Sequence, residues 1–182
     1  MSMGQALRQA REAKGLRQSD LGRDVYASGK TISAYETGRR RLPREVVPTV
    51  AARLDDARFA MEAAEEITAG IAPPVLDGPK VDLHRVTVRD RTIEELHEAL
   101  DRLAGSRVIL LARSPADLDD AGRAEIEACL MEMIEAQTAL SNGVAVLAEV
   151  YAISPAGLYR RHRQELAAKG YISKERARRR TA

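Results

Sequence analysis

Residues 4–38 are divided into three helix-length pieces by glycines and capping residues, and this spacing leaves few folds open. Gly4 to Lys14 reads as a helix, with Leu7 and Ala10 three apart and Ala6 and Ala10 four apart on one face. Gly15 stops it as a C′ glycine does, and Leu16 follows as an apolar anchor. A second helix is expected over Gln18 to Val25, with Leu21 and Val25 as its apolar pair. Ser28 can cap a third over Gly29 to Glu36, with Ile32 and Tyr35 facing inward and Gly38 ending it. Arg39-Arg40-Arg41 is then a basic loop. Leu42-Pro43 opens a further helix with Val46, Val47, Val50, Ala51 and Leu54 on one face, continuing through Phe59, Met61 and Ala64 to about Ala69.

Pro73, Pro74, Pro79 and the glycines at 70 and 78 mark a linker. Residues 81–91 alternate loosely and read as a short strand or an extended arm. Thr92 with Glu95 resembles a capping box, opening a helix with Ile93, Leu96, Leu100 and Leu103, which Gly105 ends. Val108-Ile109-Leu110-Leu111 is either a short buried strand or the start of another helix. Residues 117–140 carry Ile126, Leu130, Met133, Ile134 and Leu140 at helical spacing; Asn142-Gly143 is a possible break before Val144, Leu147, Val150 and Tyr151. Ser154-Pro155 starts a last helix with Leu158, Tyr159, His162 and Leu166 as inner positions, ended by Gly170; the basic tail beyond is expected to fray. The expected class is all-α: residues 1–69, a linker over 70–80, a second helical domain over 81–172, and a tail over 173–182.

The 182 residues carry a formal net charge of only +2, but the charge is unevenly spread. Residues 1–44 hold ten basic and four acidic groups, and 160–182 hold nine and two. Between them, residues 45–80 hold three basic against seven acidic, and 81–159 hold seven against fourteen. Basic ends around an acidic body suit a chain that binds a polyanion through one end. A single cysteine, Cys129, excludes an internal disulfide and reads as a small core residue. His84, His97 and His162 form no metal-ligand pattern with it, so no metal or cofactor is expected. One Phe, five Tyr and no Trp argue against base-stacking modules for single strands. With no signal-peptide pattern and no apolar run of membrane-spanning length, the cytoplasm is the expected location and no membrane is involved.

The string from Leu7 to Gly38 resembles the Cro/repressor-type, Xre-like helix-turn-helix family of small bacterial and phage regulators. Leu7, Arg8, Arg11, Gly15, Leu16, Gln18, Leu21, Ser28, Ile32, Ser33, Glu36 and Gly38 fall on its positions, and the resemblance covers about residues 4–69. It implies a lambda-repressor-like fold with the third helix in the major groove. By the same resemblance Glu36 is a structural buttress paired with Arg8 or Arg11. Three positions depart from the pattern. Tyr26 replaces the usual turn glycine, Gly22 replaces an alanine, and Arg17 stands where Ser or Thr is common. If position 26 requires positive φ, Tyr costs about 1 kcal/mol or more there.

With Ile32 and Tyr35 facing the core, the third helix shows Gly29, Lys30, Ser33 and Ala34 outward. Lys30 is the long donor among them, suited to guanine O6 or N7. Thr31 stands toward the phosphate flank, and Ser28 sits at the helix start. Gln18 is placed to hold a phosphate or to brace Lys30. Arg39, Arg40 and Arg41 match backbone phosphates, and Arg17 can join them. The expected DNA-contact set is thus Arg17, Gln18, Ser28, Gly29, Lys30, Thr31, Ser33, Ala34, Arg39, Arg40 and Arg41.

Residues 80–170 show no phosphate loop and no Ser–Lys arrangement of a self-cleaving repressor, so a catalytic role is not expected. The closing segment Ser154–Ile172 resembles that of some phage-encoded regulators, and no residue role is carried over from it. The helices of 81–172 read as a dimerisation module, since two copies on a palindrome roughly double the contact energy. The expected protein is a homodimeric transcriptional regulator, a repressor, bound to double-stranded DNA. The alternative is an antitoxin-like or adaptor protein whose C-terminal helices bind a protein partner.

Overall fold

A computed structural model of the chain describes residues 1–112 and 114–178, including side chains other than those of 106–112 and 178. Every regular element among the described residues is helical. The chain divides into two compact units, one formed by Met1–Ala72 with the described residues from Leu147 on, the other by Pro73–Val146.

The first unit begins with α1 (Met3–Ala13), α2 (Gln18–Asp24) and α3 (Gly29–Glu36), as the sequence pattern predicts to within a residue or two. Each start is capped. The Ser2 hydroxyl accepts the Gln5 amide while the Gln5 side chain accepts the Ser2 amide, a reciprocal box that the sequence reading did not include. Asp20 accepts the Arg17 amide at 2.9 Å, and Ser28 accepts the Thr31 amide at 3.1 Å. Gly15 and Gly38 end their helices with φ of +65° and +70°.

The next segment differs from expectation. Leu42 is buried but lies before the helix, which starts as α4 (Val47–Leu54) and is followed by a separate α5 (Ala57–Thr68). Two adjacent aspartates make the break. Asp55 ends α4 in the left-handed region at φ 44°, and Asp56 caps α5 by accepting the Phe59 amide at 2.8 Å. The re-aimed α5 buries Phe59 and Ala63, while Met61 and Ala64 are only half-buried. Leu7, Leu21, Ile32, Val50, Leu54 and Phe59, from all five helices, form the fully buried centre. Val25, expected in that core, packs against its edge half-buried.

A buried ion pair ties α1 to α3. Arg11 donates from Nε and Nη2 to the two carboxylate oxygens of Glu36, at 2.5 and 3.1 Å, and from Nη1 to the Leu16 carbonyl at 2.7 Å. The Glu36 hydrogen bond is the main reason that Arg11 titrates above its ordinary value. Arg8, the other candidate for Glu36, pairs instead with Glu12 at 2.9 Å.

The same unit contains α8 (Pro155–Ala168), capped by Ser154 accepting the Gly157 amide, and the short α9 (Lys174–Arg178). Asp55 also accepts the Ala156 amide at 2.8 Å, and Arg58 pairs with Glu149 at 3.2 Å, fastening this segment to the α4–α5 corner. Leu158 and Leu166 are half-buried, but Tyr159 and His162, expected as inner positions, are exposed, and α8 has no fully buried residue. Residues 174–178 of the basic tail are helical, and 179–182 lie outside the described residues.

The second unit is an antiparallel hairpin of α6 (Arg85–Ala112) and the part of α7 (Asp120–Val150) up to Val146. Residues 81–91 are not a strand. Asp82 accepts the His84 amide and the Thr87 hydroxyl, at 2.9 and 2.8 Å, which starts α6 at Arg85. Thr92 is therefore not a cap but an interior residue, with its hydroxyl on the Val88 carbonyl. Gly105 stays helical, and 108–111 form the last backbone turns of α6, their side chains lying outside the described ones. Asn142-Gly143 does not break α7. The Asn142 amide spends its bonds on the Pro74 carbonyl, the Leu76 amide and the Thr138 carbonyl, each at 2.9 Å, and Gly143 leaves room for Thr92 of α6.

The hairpin is closed by small residues. Ala99 of α6 and Cys129, Ala136 and Ala139 of α7 are buried, while the larger Ile93, Leu100, Leu130, Met133 and Ile134 are exposed. The Cys129 expectation holds, and the apolar stripe read from the sequence is real, but it is the outer stripe.

Two of the sequence departures meet in one turn. Tyr26 has φ 55° and a fully exposed side chain, so it bears left-handed strain without compensating contacts. A Cβ at Gly22 would meet the Ala27 carbonyl oxygen at 2.5 Å, so the family's usual alanine does not fit this turn. Tyr26→Gly should therefore raise the unfolding free energy by about 1 kcal/mol. Gly22→Ala should lower it by about 1–2 kcal/mol despite its better helix propensity. Denaturant melts of both variants check this pair. Glu36→Ala, which leaves the buried Arg11 with only the exposed Glu12 carboxylate at 3.3 Å as its ion-pair partner, should cost about 3 kcal/mol in the same assay. A loss below about 1 kcal/mol would be that of a surface pair.

Candidate nucleic-acid interface

The outer side of α3 is set by what its inner side must bury. Ile32 is fully buried, and Tyr35 and Glu36 are 6% exposed, so the remaining positions turn away from the core. Lys30 is exposed, and Ser33 and Ala34 are half-exposed beside it. Gly29 lies against α2, where a Cβ would come within 3.3 Å of the Ser19 nitrogen. This brings the starts of α2 and α3 together.

Gln18, Lys30, Ser33, Ala34 and Arg39 line one open hollow of about 420 Å³. Its floor is small and polar, and Lys30 and Arg39 bring two cations to it. Such a surface accepts an anionic, donor- and acceptor-rich edge. Arg39 is oriented through a relay: its Nε donates to the Thr37 hydroxyl at 3.1 Å, and that hydroxyl donates to the Ser33 carbonyl at 2.8 Å. Thr37 was absent from the expected set. Its signal in the sequence is a Thr four residues after Ser33, placed to bond back to that carbonyl just before the terminating glycine.

The other expected residues are placed differently. Gln18 does reach toward α3, but its Nε2 donates to Glu36 at 2.8 Å, so its amide braces the buried pair rather than Lys30. Arg17 is exposed at the start of α2. The Ser28 and Thr31 hydroxyls bond each other at 2.9 Å at the start of α3, in addition to the Ser28 cap. Arg40 turns from the hollow: its guanidinium lies 5.9 Å from the Tyr35 ring centre, over its face. Arg40 and Arg41 instead line a second hollow of about 170 Å³ with Ser2, Met3 and Leu42. The three consecutive arginines thus serve two surfaces, because Arg40 bonds back to the Ala34 carbonyl through its amide at 3.1 Å and reverses the chain.

No group of His, Cys, Asp and Glu among the described residues could hold a metal ion, and no described helix is long and apolar enough to cross a membrane. The helix-turn-helix domain family matches residues 2–58, which span α1 to α4 and the first residues of α5. No curated protein and no solved structure matches the chain. The N-terminal part of this protein thus carries a helix-turn-helix domain, consistent with Cro/repressor-type regulators.

Proposed function

We propose that the protein is a sequence-specific regulator of transcription that binds double-stranded DNA as a homodimer and represses by occupying its operator. The observation that carries this is the hollow of Lys30, Ser33, Ala34 and Arg39 on the outer side of a short helix whose inner side is locked by Glu36. The helix is narrow enough there to enter a major groove, and Lys30 supplies a donor for a guanine edge. Arg17, Arg39, Arg40 and Arg41 supply phosphate contacts, with Ser28, Gly29 and Thr31 at the helix start close to the backbone. In this reading residues 1–69 bind DNA, and the α6–α7 hairpin, within 81–172, joins two copies. A two-fold axis then sets the recognition helices roughly 34 Å apart, one duplex turn. The apolar outer stripe of the α6–α7 hairpin also suits the second reading, an antitoxin-like or adaptor protein with a different protein on that stripe. A defined heteromeric complex at fixed stoichiometry would favour it.

Binding to an operator duplex should weaken steeply with salt, because each neutralised phosphate releases a counterion. Lys30→Ala should cost about 1–3 kcal/mol on the operator and far less on random duplex. Arg39→Ala should weaken both duplexes alike and lower the salt slope by about 1. Titrations of the three proteins on both duplexes at several salt concentrations check this. Equal losses on both duplexes for Lys30→Ala would remove it from the base-reading set.

A further inference from the structure

The α6–α7 hairpin has two unlike faces. Thr92 on α6 meets Ala139 and Gly143 on α7, with Arg102 opposite Glu125 at 3.3 Å, so the two helices run antiparallel. In an antiparallel pair, the residues that follow the contact line in the same rotational sense on each helix emerge on one face. On one side this gathers Glu98, Asp101, Arg102, Glu125 and Glu132 around a hollow, a charged surface suited to water.

On the other side it gathers apolar residues. Ile93 and Leu100 of α6 are 45% and 60% exposed. From α7 come Leu130, Met133, Ile134, Leu140 and Val144, all more than a third exposed. Along α7 the series Ile126, Leu130, Met133, Gln137, Leu140, Val144 steps by four and three residues alternately, a heptad seam. Gln137 is the one amide in that series and lies near its centre.

We infer that this apolar face is the self-association surface of the protein, and that its occupant is the same face of a second copy. The inference rests on the homodimer reading above and identifies the residues that would join the copies. Area supports the choice: seven large apolar residues of the face, each 37–60% exposed, leave an apolar area on the order of several hundred Å² per copy, the scale of the ~800 Å² per partner of a standard interface. A monomer rarely leaves a single patch of that size, since ~300–600 Å² is already the largest on most. The seam favours a helical hairpin of like pattern, and pairing two hairpins makes a four-helix bundle with small residues inside each hairpin and large ones between them. Gln137 disfavours slipped registers, in which its amide would face only aliphatic side chains.

Sedimentation velocity of the full chain without DNA tests this. The wild type should run as a dimer at micromolar concentration. Leu130→Glu on α7 and Leu100→Glu on α6 should each weaken the dimer by roughly a hundredfold or more, the scale of a central interface contact. Both side chains are at least half exposed, so helix content by circular dichroism should be unchanged. Glu98→Lys, on the charged face, should leave the dimer intact. A monomeric wild type, a dimer that survives both substitutions with native helix content, or a chain that assembles only with a different protein would overturn the inference. Duplex binding is measured separately on the Leu130→Glu protein. Retained salt-dependent binding to one half-site would keep the DNA reading standing even if the interface lies elsewhere.

Discussion

The Arg11–Glu36 pair is the interaction on which the recognition surface depends. It sits in the core with its guanidinium fork matched to a carboxylate, and its remaining bonds involve the Leu16 carbonyl, the Glu12 carboxylate and the Gln18 amide. Two segments, α1 through Arg11 and α2 through Gln18, therefore converge on one carboxylate at the last position of α3. A buried pair of this type adds little net stability over an apolar replacement, but it penalises any other arrangement because an unpaired charge would stay buried. For a helix of eight residues, too short to hold itself in water, such fixing is what turns Lys30, Ser33 and Ala34 into a surface of defined shape. Gln18 thereby acts through Glu36, and α2 braces the reading helix from its first residue.

The first three helices were legible because their signals are local. Ser28, Gly15 and Gly38 act through their own backbone neighbours, and the stripe Leu7, Leu21, Ile32 needs no tertiary information to be assigned inward. The partner of Glu36 was not legible by spacing, since Arg8 and Arg11 both lie on α1; only the fold shows that Arg8 is taken by Glu12. The α4–α5 break was hidden because Asp55 adopts a left-handed conformation that a short polar residue tolerates without announcing it. The split of the arginine run was hidden for a similar reason, since the chain reversal follows from a backbone bond of Arg40 to Ala34.

Spacing alone is least informative where two stripes compete on one helix. Along α7, Leu130, Met133 and Ile134 are the stronger hydrophobic signal, yet Cys129, Ala136 and Ala139 face α6. Small side chains let two helices approach closely, and the bulky stripe is then left outside. The sequence shows the stripe but not which partner it meets. Asn142-Gly143 misled in the same way: it has the composition of a turn, but its amide holds the Pro74–Leu76 segment and its missing side chain admits Thr92.

In the proposed function the outer side of α3, fixed by the Arg11–Glu36 pair, meets duplex DNA. Amide chemical-shift mapping of the full chain during titration with an operator duplex measures this most directly. The amides of Gln18, Lys30, Ser33, Ala34 and Arg39 should shift together and saturably, while that of Tyr26, in the turn at the far end of α2, should move little. Saturable shifts confined to α8 or to residues 73–146, with α3 unmoved, would contradict it.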